Sequence, residues 1–122
     1  MKTNYDAIII GAGSVGLPTA LAMAQAGVDV LVIDKAASPG QGSHKAAIGG
    51  VRATHSDPAK IQLCLRSLEI FRTWEQTYGQ DIEWTEGGYV FVAYRQQEET
   101  TLKDLLKVQQ GYGLNISWLD KA

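Results

Sequence analysis

An α/β fold built on a parallel βαβ unit is predicted for this chain, and three observations predict it. The apolar run at residues 7–10 breaks into Gly11, Gly13 and Gly16, the spacing GxGxxG at the entrance to a helix. A second strand, 29–33, follows that helix and ends on the acid Asp34. A turn-rich loop then leads to Asp57 and Pro58, a cap and a first-turn proline for a long helix. Two strands are too few for a complete doubly wound sheet, which normally continues for several more βα units.

Each element has a physical reason. The run AIII at 7–10 reads as a short buried strand. Gly11 permits the tight turn off it, Gly13 admits a pyrophosphate without a Cβ in the way, and Gly16 lets the helix at 14–26 pack closely on the strands. The free N–H groups of Ser14, Val15 and Gly16, at the positive end of the helix dipole, form an anion site. Pro18 falls in the first turn of that helix, where its missing N–H costs little. Asp34, about 20 residues past the glycines, is suited to accept hydrogen bonds from both hydroxyls of an adenosine ribose, and it would repel a 2′-phosphate. The pattern therefore favours FAD or NAD over NADP. The alternative is a glycine-rich turn in a βαβ unit that binds no nucleotide.

The loop at 38–56 contains Pro39, Gly40, Gly42, Gly49 and Gly50, and loops of that length inside compact domains are usually functional. The helix from Asp57 should close near Gly79, with Ile61, Cys64, Leu65, Leu68, Phe71 and Tyr78 on or near one face. Beyond it, 82–86 and 89–94 read as two short strands around the turn Gly87 and Gly88. An amphipathic helix over 96–110 carries Leu102, Leu105, Leu106 and Gln109 at helical spacing and ends at Gly111 and Gly113. The segment 114–119 reads as a third short strand.

Composition sets further bounds. The 122 residues carry a formal charge of −2, ordinary hydrophobicity and no internal repeat, as expected of a soluble globular chain. Near-neutral charge offers no electrostatic footprint for nucleic acid, and the single Cys64 offers neither an internal disulfide nor a metal-ligand set. No apolar run is long enough to span a membrane, and the first strand starts too near Met1 for a signal peptide. A cytoplasmic location is expected.

In the order GAGSVG, VIDK, GQGSHKAAIGGVR and TEGGYVFVA, the chain resembles the N-terminal part of the D-amino-acid oxidase-like family of FAD-dependent amine and amino-acid oxidoreductases. That family includes glycine oxidase, monomeric sarcosine oxidase and the β subunits of sarcosine oxidase and L-proline dehydrogenase. The resemblance implies a Rossmann-like FAD-binding βαβ unit, then a helix and the start of a mixed α+β substrate region. Residues 1–80 would be the FAD-binding portion, with the loop 38–56 against the flavin, and 81–122 would begin the substrate-binding portion. Members are several times longer than a βαβ unit, so this chain is expected to be an incomplete portion, inactive alone, and part of a homo- or hetero-oligomer through the full enzyme.

Site residues follow from the same resemblance. Asp34 and Lys35, which end VIDK, join Gly11, Gly13, Ser14, Val15 and Gly16 as cofactor contacts. Gly42 and Ser43 would pack their backbone on FAD, with His44 and Lys45 entering the flavin region. The run GSHKAAIGGVR matches GSHHGDTRIIR of monomeric sarcosine oxidase at Gly42, Ser43, His44 and Arg52. Arg52 would then anchor the substrate carboxylate, for which its planar fork is suited, and Lys45 would keep positive charge near the ring. Ala46 stands where some relatives attach flavin through a histidine, so that attachment is not expected.

The implied activity is oxidation of the C–N bond of a small amino acid or secondary amine by hydride transfer to flavin N5. Two alternatives stay open: an FAD enzyme acting on a 2-hydroxy acid or glycerol 3-phosphate, and a non-catalytic nucleotide-binding or subunit-interaction module. Plainer roles also stand beside the functional ones. His44 could be a loop histidine bonded to backbone, Lys45 a solvated charge and Arg52 a capping or ion-pairing residue. His55 would support the turn before the helix, Cys64 would be a small buried hydrophobe, and Trp74, Trp84 and Trp118 would pack, with Trp84 and Tyr89 able to reach a substrate cavity.

Overall fold

The structure, a computed structural model, describes residues 2–120, except for the side chain of His44. It falls into two compact units, Met1–Gly50 and Val51–Ala122. In the first unit, β1 (Ala7–Ile10) and β2 (Val30–Ile33) pair in parallel, with Ala7 opposite Val30 and Ile10 opposite Ile33. Helix α1 (Gly16–Gln25) makes the crossover. It starts two residues later than expected, because Ser14 and Val15 form a turn before the helical bonds begin.

The pairing is extended at both ends. The N–H groups of Asp6 and Ala7 reach the Asp29 carbonyl at 2.9 and 3.2 Å, and the Asp6 carboxylate accepts the Asp29 N–H at 3.0 Å. At the far end Gly11 donates to the Ile33 carbonyl at 2.7 Å, which delivers the chain into the glycine turn at the C-terminal edge of the strands. One expectation needs correction here. β1 is buried on one face only, with Ala7 and Ile9 half-buried while Ile8 and Ile10 are exposed. The reason is that α1 covers one side of the sheet, so the side chains alternate in and out as they must on a pleated strand.

In the second unit, α2 (Pro58–Arg72) is started by Asp57, whose carboxylate accepts the Lys60 N–H at 2.9 Å, with Pro58 in the first turn. The single long helix expected to Gly79 is instead two. Thr73 leaves helical geometry, its hydroxyl donates back to the Glu69 carbonyl at 3.0 Å, and α3 (Trp74–Tyr78) continues to Gly79. Such back-bonding competes with the backbone ladder and bends helices. Helix α4 (Gln96–Gly111) matches expectation and packs on α2. The core between them holds Ile61, fully buried, and Gln109, whose side-chain amide donates to the His55 carbonyl at 3.1 Å.

The three short strands expected after α3 do not form, since β1 and β2 make the only sheet among the described residues. In 82–86, Glu83 takes a left-handed conformation, φ 55°, and its N–H is captured by the Asp81 carboxylate at 2.7 Å, which removes a ladder donor. That segment is fastened to α2 by side chains instead. Arg72 pairs with Glu86, and Trp84 stacks on Phe71 with ring centres 5.4 Å apart. At the end of 89–94, the Tyr94 and Arg95 N–H groups both go to the Glu98 carboxylate, at 2.9 and 3.1 Å, and cap α4. Segment 114–119 folds back on α4, where Gln110 donates to the Ile116 carbonyl at 3.0 Å and Lys103 lies over the Trp118 ring.

Candidate functional site

The glycine turn between β1 and α1 is held by backbone contacts that tolerate no substitution at one point. A Cβ on Gly16 would lie 1.9 Å from the Gly11 carbonyl oxygen and 3.3 Å from Ile9 Cγ2, so the helix can sit this close to the strand only with glycine there. Gly11 turns the chain at φ 111°. A Cβ on Gly13 would meet nothing within 4 Å, which leaves that flank of the turn open to an approaching ligand. The first helical bond past the turn is from Leu17 to the Gly13 carbonyl, 3.1 Å. Among the described residues the amides of Ser14, Val15 and Gly16 have no such acceptor, and they sit at the positive end of α1.

Ala12, which sequence reasoning did not single out, is the hub of this turn. It is buried, its N–H donates to Asp34 Oδ2 at 2.7 Å, and its carbonyl accepts the Gly40 N–H at 2.9 Å. Asp34 Oδ1 accepts the Ala36 N–H, also at 2.7 Å. The carboxylate thus stitches the glycine turn to the end of β2. Those two amides, Ala36 first and then Ala12, hold the Asp34 carboxyl below its ordinary pKa. Each carboxylate oxygen keeps a second lone pair for a further donor. The signal for Ala12 was present in the motif GAG, where a small residue stands between two turn glycines.

Two adjoining clefts flank the turn. One, about 580 Å³, is lined by residues including Gly11, Gly13, Asp34, Lys35, Gly40 and Gly42. The other, about 500 Å³, runs past the start of α1 and is lined by residues including Gly13, Ser14, Val15, Gly16, Gly42 and Ser43. Both volumes fall in the range of small-molecule sites, about 300–1,000 Å³. All ten cofactor contacts expected from the sequence therefore lie in the first unit, and nine of them line these clefts, with Gly11, Gly13 and Gly42 common to both. Ser43, His44, Lys45 and Ala46 form a short 3₁₀ turn. The His44 side chain lies outside the described residues. Lys45 is exposed, and its ammonium donates to Gln41 Oε1 at 3.2 Å.

Arg52 belongs to the second unit. Its guanidinium carbon lies 5.8 Å from the centre of the Tyr89 ring and 5.4 Å from that of Phe91. Among the described residues it has no acidic partner within ion-pair distance, so neither a salt bridge nor a helix cap accounts for it. Trp84 packs on Phe71, and Trp74 packs on Tyr78 with ring centres 4.5 Å apart. No cluster of His, Cys, Asp or Glu among the described residues is placed to hold a metal ion. Nor is any described helix long and apolar enough to cross a membrane.

A parallel βαβ unit, an open glycine turn beneath a helix N-terminus and a carboxylate at the end of the second strand together define a dinucleotide-binding protein of the Rossmann type. The sequence model of the FAD dependent oxidoreductase family, DAO, matches residues 6–122, and the chain belongs to that family. FAD is accordingly the cofactor, and the residues present fit it: the open flank at Gly13 suits the pyrophosphate and Asp34 suits the ribose. The chain is 31% identical, over 98% of its length, to N-methyl-L-tryptophan oxidase of Yersinia pestis (strain Pestoides F) and to that of Yersinia pseudotuberculosis serotype O:1b (strain IP 31758). It spans 32% of the length of these relatives. The crystal structure of L-proline dehydrogenase from P. horikoshii superposes with a TM-score of 0.83 at 29% identity, over 93% of this chain and 29% of that one.

Proposed function

We propose that this chain is the cofactor-binding part of a flavoenzyme that oxidises the C–N bond of a small amino acid or secondary amine. The observation that carries the reading is the glycine-lined pair of adjoining clefts, one of which is also lined by Asp34. The relatives named as an N-methyl-amino-acid oxidase and a proline dehydrogenase support the substrate class. Residues 1–80 serve the cofactor and 81–122 open the substrate portion.

In this reading the amides of Ser14, Val15 and Gly16 receive the pyrophosphate, Gly11 and Gly13 make room for it, and Asp34 takes the ribose hydroxyls beside Lys35. The backbone of Gly42, Ser43 and His44 lies along the cofactor, and Lys45 sets positive charge beside it. Arg52 receives the substrate carboxylate in its planar fork, which orients the α-carbon. FAD, when bound, supplies the acceptor for the hydride equivalent that leaves that carbon.

The test is anaerobic bleaching of the FAD-loaded full-length enzyme that carries this chain by a panel of sarcosine, proline, N-methyl-L-tryptophan, 2-hydroxy acids and glycerol 3-phosphate. An amine should bleach it, and Arg52→Lys should raise KM for that amine about tenfold or more. Bleaching by a hydroxy acid or glycerol 3-phosphate alone would replace the substrate class, and failure to take up flavin would leave a binding or assembly module.

A further inference from the structure

Packing alone does not explain why two rings converge on Arg52. Tyr89 and Phe91 are two residues apart, and both rings lie against the same guanidinium, within the roughly 6 Å at which a cation is attracted to a ring face. Val90 and Val92, in the alternate positions, are 77% and 63% exposed, whereas Tyr89 and Phe91 are 47% and 43% exposed. The alternation turns the aromatic side of this segment toward the arginine. No acid competes for the guanidinium among the described residues. The rings can restrain the cation while offering its N–H groups no oxygen acceptor beyond the tyrosine hydroxyl.

We propose that Tyr89 and Phe91 are positioning residues that hold the Arg52 guanidinium ready for a carboxylate, an inference that rests on the reading of Arg52 as the substrate anchor. An exposed arginine ordinarily spreads over many rotamers, and freezing them opposes binding. Two rings select the rotamer in advance and leave the hydrogen-bonding capacity unspent. A carboxylate partner would have restrained the arginine equally well, but it would have occupied the fork and repelled an anionic substrate.

The experiment follows the Arg52 Nε–Hε signal by NMR in the FAD-loaded full-length enzyme that carries this chain, with the signal identified by its loss in Arg52→Lys. In the parent protein it should lie upfield, as ring currents require, and should move when acetate is added. Tyr89→Leu combined with Phe91→Leu should shift the signal toward that of a solvated arginine and weaken acetate binding about 5- to 30-fold, the worth of two such contacts. Turnover with an amino-acid substrate should show KM rising with little change in kcat. Tyr89→Phe keeps the ring and should keep both the signal and the affinity. The single leucine variants serve if the double variant does not fold, which helical circular dichroism and flavin absorbance report. Unchanged acetate affinity and an unmoved Arg52 signal in the folded leucine variants would overturn the positioning role while leaving the anchor in place. Absence of any Arg52 response to acetate in the parent protein would overturn the anchor itself, and the inference with it.

Discussion

Gly16 carries the sharpest constraint at the residue scale, because the neighbour a side chain would strike is a backbone carbonyl at 1.9 Å, which cannot swing aside. Gly16→Ala should therefore push α1 off β1, cost about 1–3 kcal/mol or more in stability, and weaken FAD binding through loss of the turn's shape. Chemical denaturation with and without FAD would read both effects. Asp34 belongs to the same turn, and its behaviour with pH can be signed. Its carboxyl is held below the ordinary value by the Ala36 and Ala12 amides, so the charged form favours the folded state. That contribution is present above the unfolded pKa and is lost as pH falls through the lower folded value. Asp34→Asn should lower the melting temperature at neutral pH, and the gap from the parent protein should close as the solution is acidified below the carboxylate range. A gap that stayed constant down to low pH would mean that the two amides do not distinguish acid from amide.

Helices α2 and α4 show what the element scale adds. The apolar spacing read from 61 to 71 and from 102 to 109 predicted which faces would turn inward, and in the structure Ile61 and Gln109 are the buried residues of these two helices. Ile61→Ala should cost about 2–5 kcal/mol, measured by urea unfolding, because a fully buried side chain leaves a cavity that the short helices around it can fill only in part. The start of α2 was legible because its signal is local: Asp57 with Pro58 is read directly as a cap and a first turn. The break at Thr73 and the missing strands were not legible. Strand propensity at 82–86 and 89–94 says only that a residue suits a pleated surface, and a strand exists only when a partner supplies its ladder. Here Asp81 and Glu98 take the backbone donors that a ladder would have used.

On the scale of the whole molecule, binding should appear as stability. A ligand that binds only the folded chain at 100 times its dissociation constant adds about 2.7 kcal/mol, so FAD should raise the melting temperature of the parent protein. The same addition should do less for Gly16→Ala, and scanning calorimetry of both chains would check it. The sequence by itself determined the βαβ unit, the glycine turn, the acid that ends β2 and the start of α2. Each of these is announced by a local signal, an apolar run, a glycine spacing or a capping residue, even where the strands it pairs lie 23 positions apart. Tertiary structure alone decided that Asp34 binds the turn through Ala12, that β1 is covered on one face, and that Tyr89 and Phe91 converge on Arg52. The first and last of these are meetings between residues 22 to 39 positions apart in the chain, and no local pattern encodes them, because which distant side chains meet is set by how the elements between them pack.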